Sequence, residues 1–239
     1  MKLLLIGRGK MGQLIRTTAQ SEGDEIVAEF GRSDLEKLAE LGKVADAVVD
    51  FSRPETLPAV CAYVRRTGTP LISGTTGYTP AQMSELERLG AFAPVLWSAN
   101  YSLGIAVLYR ALTMVSKVLK PDFDIEITEI HHRQKADAPS GTAKLLAEAV
   151  DPNHALTPLY GREGSCGKRS AGELGIHALR GGTVAGTHTV QFFGPDEELE
   201  FTHRAASRQI FVNGALHMAH LLPGKPNGVY DLQKILFGE

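Results

Sequence analysis

A chain of 239 residues, 43% apolar and 22% charged with a net charge of −2, is long enough for one large or two small domains and has the balance of an ordinary soluble globular protein. It carries no basic block of the kind a nucleic-acid surface needs, so no nucleic-acid partner is expected. Cys61 and Cys166 alone support neither a disulfide framework nor a C-x-x-C zinc site, and the apolar run Leu3 to Ile6 is too short for a signal segment or a membrane span; a cytoplasmic protein with no membrane partner is expected.

Lys2 to Ile6 reads as a strand buried on both faces. Gly7 to Gly12 follows, then a helix from Met11 to about Ser21. Glu25 to Phe30 and Asp46 to Phe51 are the second and third strands, and a helix covers roughly Thr56 to Thr67. Pro70 to Ser73 is a fourth strand, Thr79-Pro80 starts a helix over Ala81 to Leu89, and Ala93 to Trp97 is a fifth strand. This alternation predicts an α/β fold with a Rossmann-type, doubly wound parallel sheet.

The pattern changes after Asn100. Leu103 to Leu119 is a long helix, and Asp124 to His131 alternates as a strand with one wet face. Gly141 to Val150 is a helix, and Asp151 to Glu173 reads as a long loop. Strands follow at Ile176 to Arg180, Thr183 to Phe193 and Leu199 to Ala205, with turn signals at Gly181-Gly182 and Gly194-Pro195-Asp196. These predict an α+β domain with an antiparallel or mixed sheet. Ile210 to Leu222 is a last helix, followed by a short tail. The expected division is a dinucleotide-binding domain at 1–102 and 212–239, and a second domain at 103–211.

Gly7-Arg8-Gly9-Lys10-Met11-Gly12 fits G-x-G-x-x-G between a buried strand and a helix. The first glycine permits a tight turn, the second lets backbone approach a pyrophosphate, and the third lets helix and strand pack. The helix start then offers N–H groups and a positive dipole end to phosphates. At the end of the second strand, Glu29 sits early for a ribose hydroxyl, while Arg32 and Ser33 are placed for a 2′-phosphate. Two more loops follow parallel strands, Ser73-Gly74-Thr75-Thr76-Gly77 and Ser98-Ala99-Asn100-Tyr101; each suits either a nicotinamide ribose or a plain turn with a helix cap.

Glu129-Ile130-His131-His132-Arg133-Gln134-Lys135-Ala136-Asp137-Ala138-Pro139-Ser140-Gly141-Thr142 concentrates histidines, cations and carboxylates. Histidine exchanges protons near neutrality. Neighbours on a strand face opposite ways, so His131 and His132 do not share one role. Lys135 can pair with a carboxylate or supply a proton. Ser140-Gly141-Thr142 opens a helix whose N–H groups can hold an anion. No third ligand stands at metal-site spacing, so no metal is expected. Arg133 and Gln134 read as a solvated turn.

This run resembles the signature of the dihydrodipicolinate reductase family, and the likeness extends to the Gly7 to Gly12 turn, Asp50-Phe51-Ser52, Gly74-Thr75-Thr76-Gly77, Ser98-Ala99-Asn100-Tyr101, Ala206-Ser207-Arg208 and Asn213-Gly214-Ala215. The resemblance implies NADPH and/or NADH as cofactor, a small dicarboxylate as substrate, and a homotetramer built through the second domain's sheet. It implies reduction of 4-hydroxy-tetrahydrodipicolinate in lysine and diaminopimelate synthesis. His131 is then the proton donor, Lys135 a second donor, His132 a substrate contact, and Gly141 and Thr142 the holders of a substrate carboxylate. Gly7, Arg8, Gly9, Lys10, Met11, Gly12, Arg32, Gly74, Thr75, Thr76, Ser98, Ala99, Asn100 and Tyr101 line the cofactor. Family members often have an acid just before the Arg at the second strand's end; here Gly31 stands there, which favours the phosphate reading of Arg32. Two rival readings stay open: a two-domain dehydrogenase of the aspartate or homoserine type, and a non-catalytic NADPH-binding sensor.

Overall fold

Leu3, Leu4, Leu5 and Ile6 are all but fully buried, which makes β1 (Lys2–Ile6) an interior strand of a parallel sheet. The computed structural model describes residues 1–120 and 122–238. The chain divides into two units, Met1–Ser102 with Gln209–Glu239, and Leu103–Arg208.

In the first unit β1 leads into α1 (Lys10–Ser21), then β2 (Glu25–Phe30) and β3 (Ala47–Asp50). After them come α2 (Leu57–Thr67), β4 (Leu71–Ser73), α3 (Pro80–Leu89) and β5 (Pro94–Trp97). Thr79 caps α3 as the notation Thr-Pro suggests: its hydroxyl accepts from the Gln82 N–H, and Gln82 reaches back to the Thr79 N–H. The sheet runs β11-β5-β4-β3-β1-β2 with every neighbour parallel. Its sixth strand, β11 (Gly228–Tyr230), comes from the stretch expected to be a plain tail, as does α7 (Leu232–Phe237). β11 is only three residues long, too short for alternation to register. Before α7, α6 (Gln209–Leu221) packs on α1, and a Cβ on Gly214 would come within 1.7 Å of the Tyr101 carbonyl oxygen.

The second unit begins with α4 (Leu103–Leu119) and continues through β6 (Asp124–His131), α5 (Gly141–Val150), β7 (Thr157–Leu159), β8 (Glu173–Arg180), β9 (Gly186–Gly194) and β10 (Glu197–Ala205). The sheet order is β10-β9-β6-β8-β7. β9 is antiparallel to both β6 and β10, whereas β8 is parallel to β6 and to β7, so the sheet is mixed. α4 and α5 cover one face with Ile125, Ile127, Leu174, Ile176, Val190 and Phe192 beneath them.

Two expectations change here. Gly181-Gly182 is not a hairpin turn, because β6 lies between β8 and β9. The segment instead wraps the end of β6: Gly181 N–H donates to His131 O at 2.9 Å, His132 N–H to Val184 O at 2.8 Å, and Arg133 N–H to Gly182 O at 3.2 Å. The long loop 151–173 is also not wholly irregular, since it supplies edge strand β7 and two arginines that return to β6.

Candidate active site

The glycine turn after β1 has three different reasons for its three glycines. Gly7 has φ +114°, and a Cβ there would meet Phe51 O at 2.4 Å. A Cβ on Gly12 would lie 1.8 Å from Gly7 O, so that position sets how closely α1 approaches the turn. A Cβ on Gly9 would meet nothing within 4 Å; the backbone there faces open space at the helix start. Beside it is a cleft of about 550 Å³ lined by Gly7, Arg8, Gly9, Gly31, Arg32 and Ser52 among others. Open space, bare backbone and two arginines at a helix N-terminus fit the phosphates of a dinucleotide.

The end of β2 is arranged around Arg8. Its guanidinium donates to Glu29 O at 2.8 Å and to the Asp34 carboxylate at 2.7 Å, and Asp34 also accepts from the Gly31 N–H at 2.8 Å. The Gly31 N–H first, and then Arg8, hold the Asp34 carboxyl below its usual range. A Cβ at position 31 would touch Arg8 Cδ at 3.3 Å. The Glu29 carboxylate pairs with Arg16 at 3.2 Å. Arg32 is exposed at the cleft wall.

The other loops show how the sequence-selected residues divide. Asp50, fully buried at the end of β3, accepts from Ser73 at 3.1 Å, Thr75 at 3.0 Å and Tyr78 at 3.3 Å, and also from Ser52. Burial pushes its carboxyl up while these hydroxyls pull against that. The Thr75 hydroxyl therefore points inward, whereas Thr76 is exposed. Gly74 makes room for the Phe51 ring, which a Cβ would meet at 2.2 Å. Tyr101 is buried and donates to Ser73 O at 2.8 Å, so its ring lies in the core. Ser98 Oγ donates to Asn100 O at 2.8 Å, and Ala99 stands exposed. Lys10 is exposed and Met11 half-buried at the start of α1.

In the second unit the proton-handling groups converge at one end of the sheet, on the face that α5 covers. β6 buries Ile125, Ile127, Glu129 and His131 in alternation. Register places Glu129 opposite His188 of β9 and His131 opposite Arg180 of β8. His131 Nδ1 lies 2.5 Å from Glu129 Oε2. Arg180 grips the same carboxylate with two bonds of 2.8 Å, and the Ser140 N–H donates to Oε1 at 3.0 Å. Burial opposes the charge on Glu129, but Arg180, His131 and Ser140 outweigh it and hold its carboxyl below the usual range. The His188 ring meets His131 edge-on, with Nε2 3.0 Å from Ser140 Oγ. A Cβ on Gly186 would lie 3.1 Å from His131 Nε2.

Ser140 is the N-cap of α5, its hydroxyl accepting from the Ala143 N–H at 3.1 Å. Position Gly141 faces open space, and Thr142 follows in the first turn. Lys135 Nζ sits 2.9 Å from Asp137, whose side chain is largely exposed, and Lys135 is close enough for its charge to bear on His188. His132 is half-buried beyond the strand end; Arg133 and Gln134 are exposed. Sequence reasoning missed Arg180 and His188 and gave Glu129 no role. A signal existed for Glu129: along β6 the apolar alternation changes parity after Thr128, placing a carboxylate and a histidine on the core face and Ile130 on the wet one. Among the described residues no group of three or more His, Cys, Asp or Glu side chains is placed to hold a metal ion, and no helix is long and apolar enough to cross a membrane.

Family models agree with this layout. The model for the N-terminus of dihydrodipicolinate reductase matches residues 1–101, and that for its C-terminus residues 104–236. The chain is 41% identical over 238 residues to the 4-hydroxy-tetrahydrodipicolinate reductase of Exiguobacterium sp. strain AT1b, covering 98% of this chain and 95% of the relative. It is 40% identical over 247 residues to that of Clostridium tetani, with 98% and 96% covered. Among solved structures, dipicolinate-bound dihydrodipicolinate reductase from Paenisporosarcina sp. TG-14 superposes with a TM-score of 0.81 over 99% of both chains at 21% identity, a likeness of fold.

Proposed function

The chain belongs to the dihydrodipicolinate reductase family, and we propose that the residues gathered around Glu129, His131 and the mouth of α5 hold and protonate its substrate. It is a nicotinamide-dependent oxidoreductase that reduces 4-hydroxy-tetrahydrodipicolinate in lysine and diaminopimelate synthesis. The observation that carries the residue assignment is the pairing of His131 Nδ1 with a buried carboxylate, which leaves Nε2 as the nitrogen for chemistry.

The reduced nicotinamide, when bound, supplies the hydride. Gly7, Gly9 and Gly12 form its phosphate turn with Arg8, Lys10 and Met11, and Arg32 receives a 2′-phosphate. Gly74, Thr75 and Thr76 contribute mainly backbone, because the Thr75 hydroxyl is engaged by Asp50. Ser98, Ala99, Asn100 and Tyr101 complete that wall through the loop whose shape the Tyr101 anchor fixes. NADPH is the favoured form: Glu29 is engaged by Arg16 and Asp34 by Arg8 and the Gly31 amide, and the acid usual in the family is replaced by Gly31.

The substrate is a cyclic imine with two carboxylates. Gly141 and Thr142 at the start of α5 hold one of them, assisted by the helix dipole. His132 and Lys135 add positive charge, and Lys135 gives up Asp137 to do so. The 4-hydroxyl leaves as water to give the unsaturated ring, hydride addition to its C4 leaves an enamine, and His131 delivers the proton that completes the reduction. Ile130 and Leu179, paired on the sheet face away from α4 and α5, support assembly through that face as a homotetramer.

The test is NADPH oxidation with freshly made synthase product, beside aspartate-family substrates and a no-substrate control. H131A and K135A each lose roughly 10²–10⁴-fold in kcat while NADPH affinity persists. Near-normal turnover in both removes the assignment, and oxidation only with an aspartate-family substrate favours the rival dehydrogenase.

A further inference from the structure

Four donors meet the Glu129 carboxylate: Arg180 twice at 2.8 Å, the Ser140 N–H at 3.0 Å and His131 Nδ1 at 2.5 Å. A carboxylate offers about four acceptor positions, so this one is filled. It is also wholly buried, 0% exposed, at the end of an inward row that begins with Ile125 and Ile127. Replacing a buried ion pair with apolar residues of similar volume is often neutral or stabilising, so packing alone gives weak reason for the pair.

We propose that Glu129, clamped by Arg180, is a positioning residue that fixes the tautomer and ring orientation of His131, so that Nε2 is the nitrogen presented to substrate. The proposal rests on His131 being the proton donor. A deprotonated carboxylate can only accept, so Nδ1 carries a hydrogen and donates it to Oε2. Arg180 keeps its own proton at any relevant pH, and its two-pronged grip prevents the carboxylate from swinging away. The proton passed to the enamine is the one on Nε2; the other hydrogen stays on Nδ1 throughout, donated to Glu129. The imidazolium that precedes transfer is stabilised by the same carboxylate.

The surroundings are consistent with that division. Gly186 of β9 leaves the space beside Nε2 bare. His188, also from β9, is turned to Ser140 by its own Nε2 and so does not compete for Glu129. The charged and titratable groups around the pair are Arg180 from β8, His188 from β9 and Lys135 from the loop after β6.

A double-mutant cycle tests this with the whole enzyme, using E129Q, H131A and both together. E129Q is expected to lower kcat about 10–100-fold, the usual effect of removing an outer-shell partner, with the melting transition and NADPH affinity retained. In the H131A background the same change costs nothing further, because Glu129 acts through the missing ring. Equal losses in both backgrounds overturn the proposal and make Glu129 a structural residue. Near-normal turnover by H131A removes the proton assignment instead, and Glu129 then has no ring to position. A readout needing no variant at Glu129 is the ¹⁵N spectrum of histidine-labelled wild-type protein, with His131 assigned by its loss in H131A. The Nδ1-protonated tautomer is expected, and a dominant Nε2-protonated neutral form overturns the proposal even if E129Q fails to fold.

Discussion

His131 and His188 meet edge to face, their ring centroids 5.1 Å apart and their planes 73° apart. The first is tied to a carboxylate, the second to a hydroxyl. Burial first, and then the nearby His131, push His188 down to about 4 from 6.5. Its folded form therefore resists protonation that the unfolded chain accepts. The contribution to stability is complete above pH 6.5 and is lost as pH falls from 6.5 toward 4. Thermal melts across that window should show Tm dropping with acid. His188→Gln, which can still reach Ser140, should flatten the drop; an unchanged slope in the variant removes His188 as its source.

Gly186→Ala probes the space beside Nε2. The added methyl lies 3.1 Å from that nitrogen, so the ring must yield by a few tenths of an ångström. Glu129 and Arg180 hold the ring from the other side, which makes yielding costly. A misplacement of about 1 Å can cost ~10²-fold in rate, so a smaller one predicts about a tenfold loss of kcat, beside a modest drop in Tm because Gly186 has φ +158°. Wild-type kinetics would place the reacting proton elsewhere.

The first unit was largely legible because its signals are local. Continuous apolar runs at Leu3 to Ile6 and Ala47 to Val49 mark strands buried on both faces, and the turn needs Gly7 for its φ of +114°, Gly12 for its approach to the Gly7 carbonyl and Gly9 for the open space beside it. The candidate site at the His131 end of the second unit's sheet was legible only along one strand. His131, Lys135 and Ser140 share a contiguous run, whereas Arg180 and His188 arrive through β8 and β9, 51 residues from Glu129 in the first case and 48 from Ser140 in the second. No periodicity in β8 or β9 announces a partner on β6; register across the sheet decides it. The Gly181-Gly182 pair misled for a related reason, since a glycine pair between two strands has the same local sequence whether it closes a hairpin or wraps a third strand's end.

Glu126 faces away from the site and gathers a second charge cluster. Arg162 donates to it with two bonds of 3.0 and 2.9 Å, Arg169 at 2.9 Å and His177 at 2.8 Å. Gly175 makes this possible, because a Cβ there would stand 1.7 Å from Glu126 Oε2. Burial raises the Glu126 carboxyl, but Arg162, His177 and Arg169 outweigh it and bring it to about 2. A carboxyl lowered on folding contributes stability above its unfolded value of 4.5, and that contribution fades as pH falls toward 2. The arginines belong to the 151–173 stretch, so the cluster fastens that segment to β6. Limited proteolysis should leave wild-type protein uncut between residues 160 and 172 at neutral pH, while Glu126→Gln is cut there. Equal resistance in both would assign the segment's order to β7 and its own turns.

Cofactor choice is expected to turn on Gly31 and Arg32. Glu29 is held by Arg16, and Asp34 by Arg8 and the Gly31 amide, while Arg32 stands exposed at the cleft wall, the proposed receiver of a 2′-phosphate. A hydrogen bond to a charged group is worth about 1.5–3 kcal/mol, so Arg32→Ala should lower kcat/KM for NADPH by roughly 10- to 100-fold and leave that for NADH nearly unchanged. Gly31→Glu adds an acid at the end of β2, and its Cβ would press on Arg8 Cδ at 3.3 Å, an aliphatic carbon of a half-exposed side chain that can shift. That variant should gain with NADH through the ribose hydroxyls and lose with NADPH through repulsion of the 2′-phosphate. The measurement is the ratio of kcat/KM for the two cofactors in all three proteins. A wild-type enzyme that strongly prefers NADH, with a ratio untouched by Arg32→Ala, would move the adenosine ribose away from Arg32.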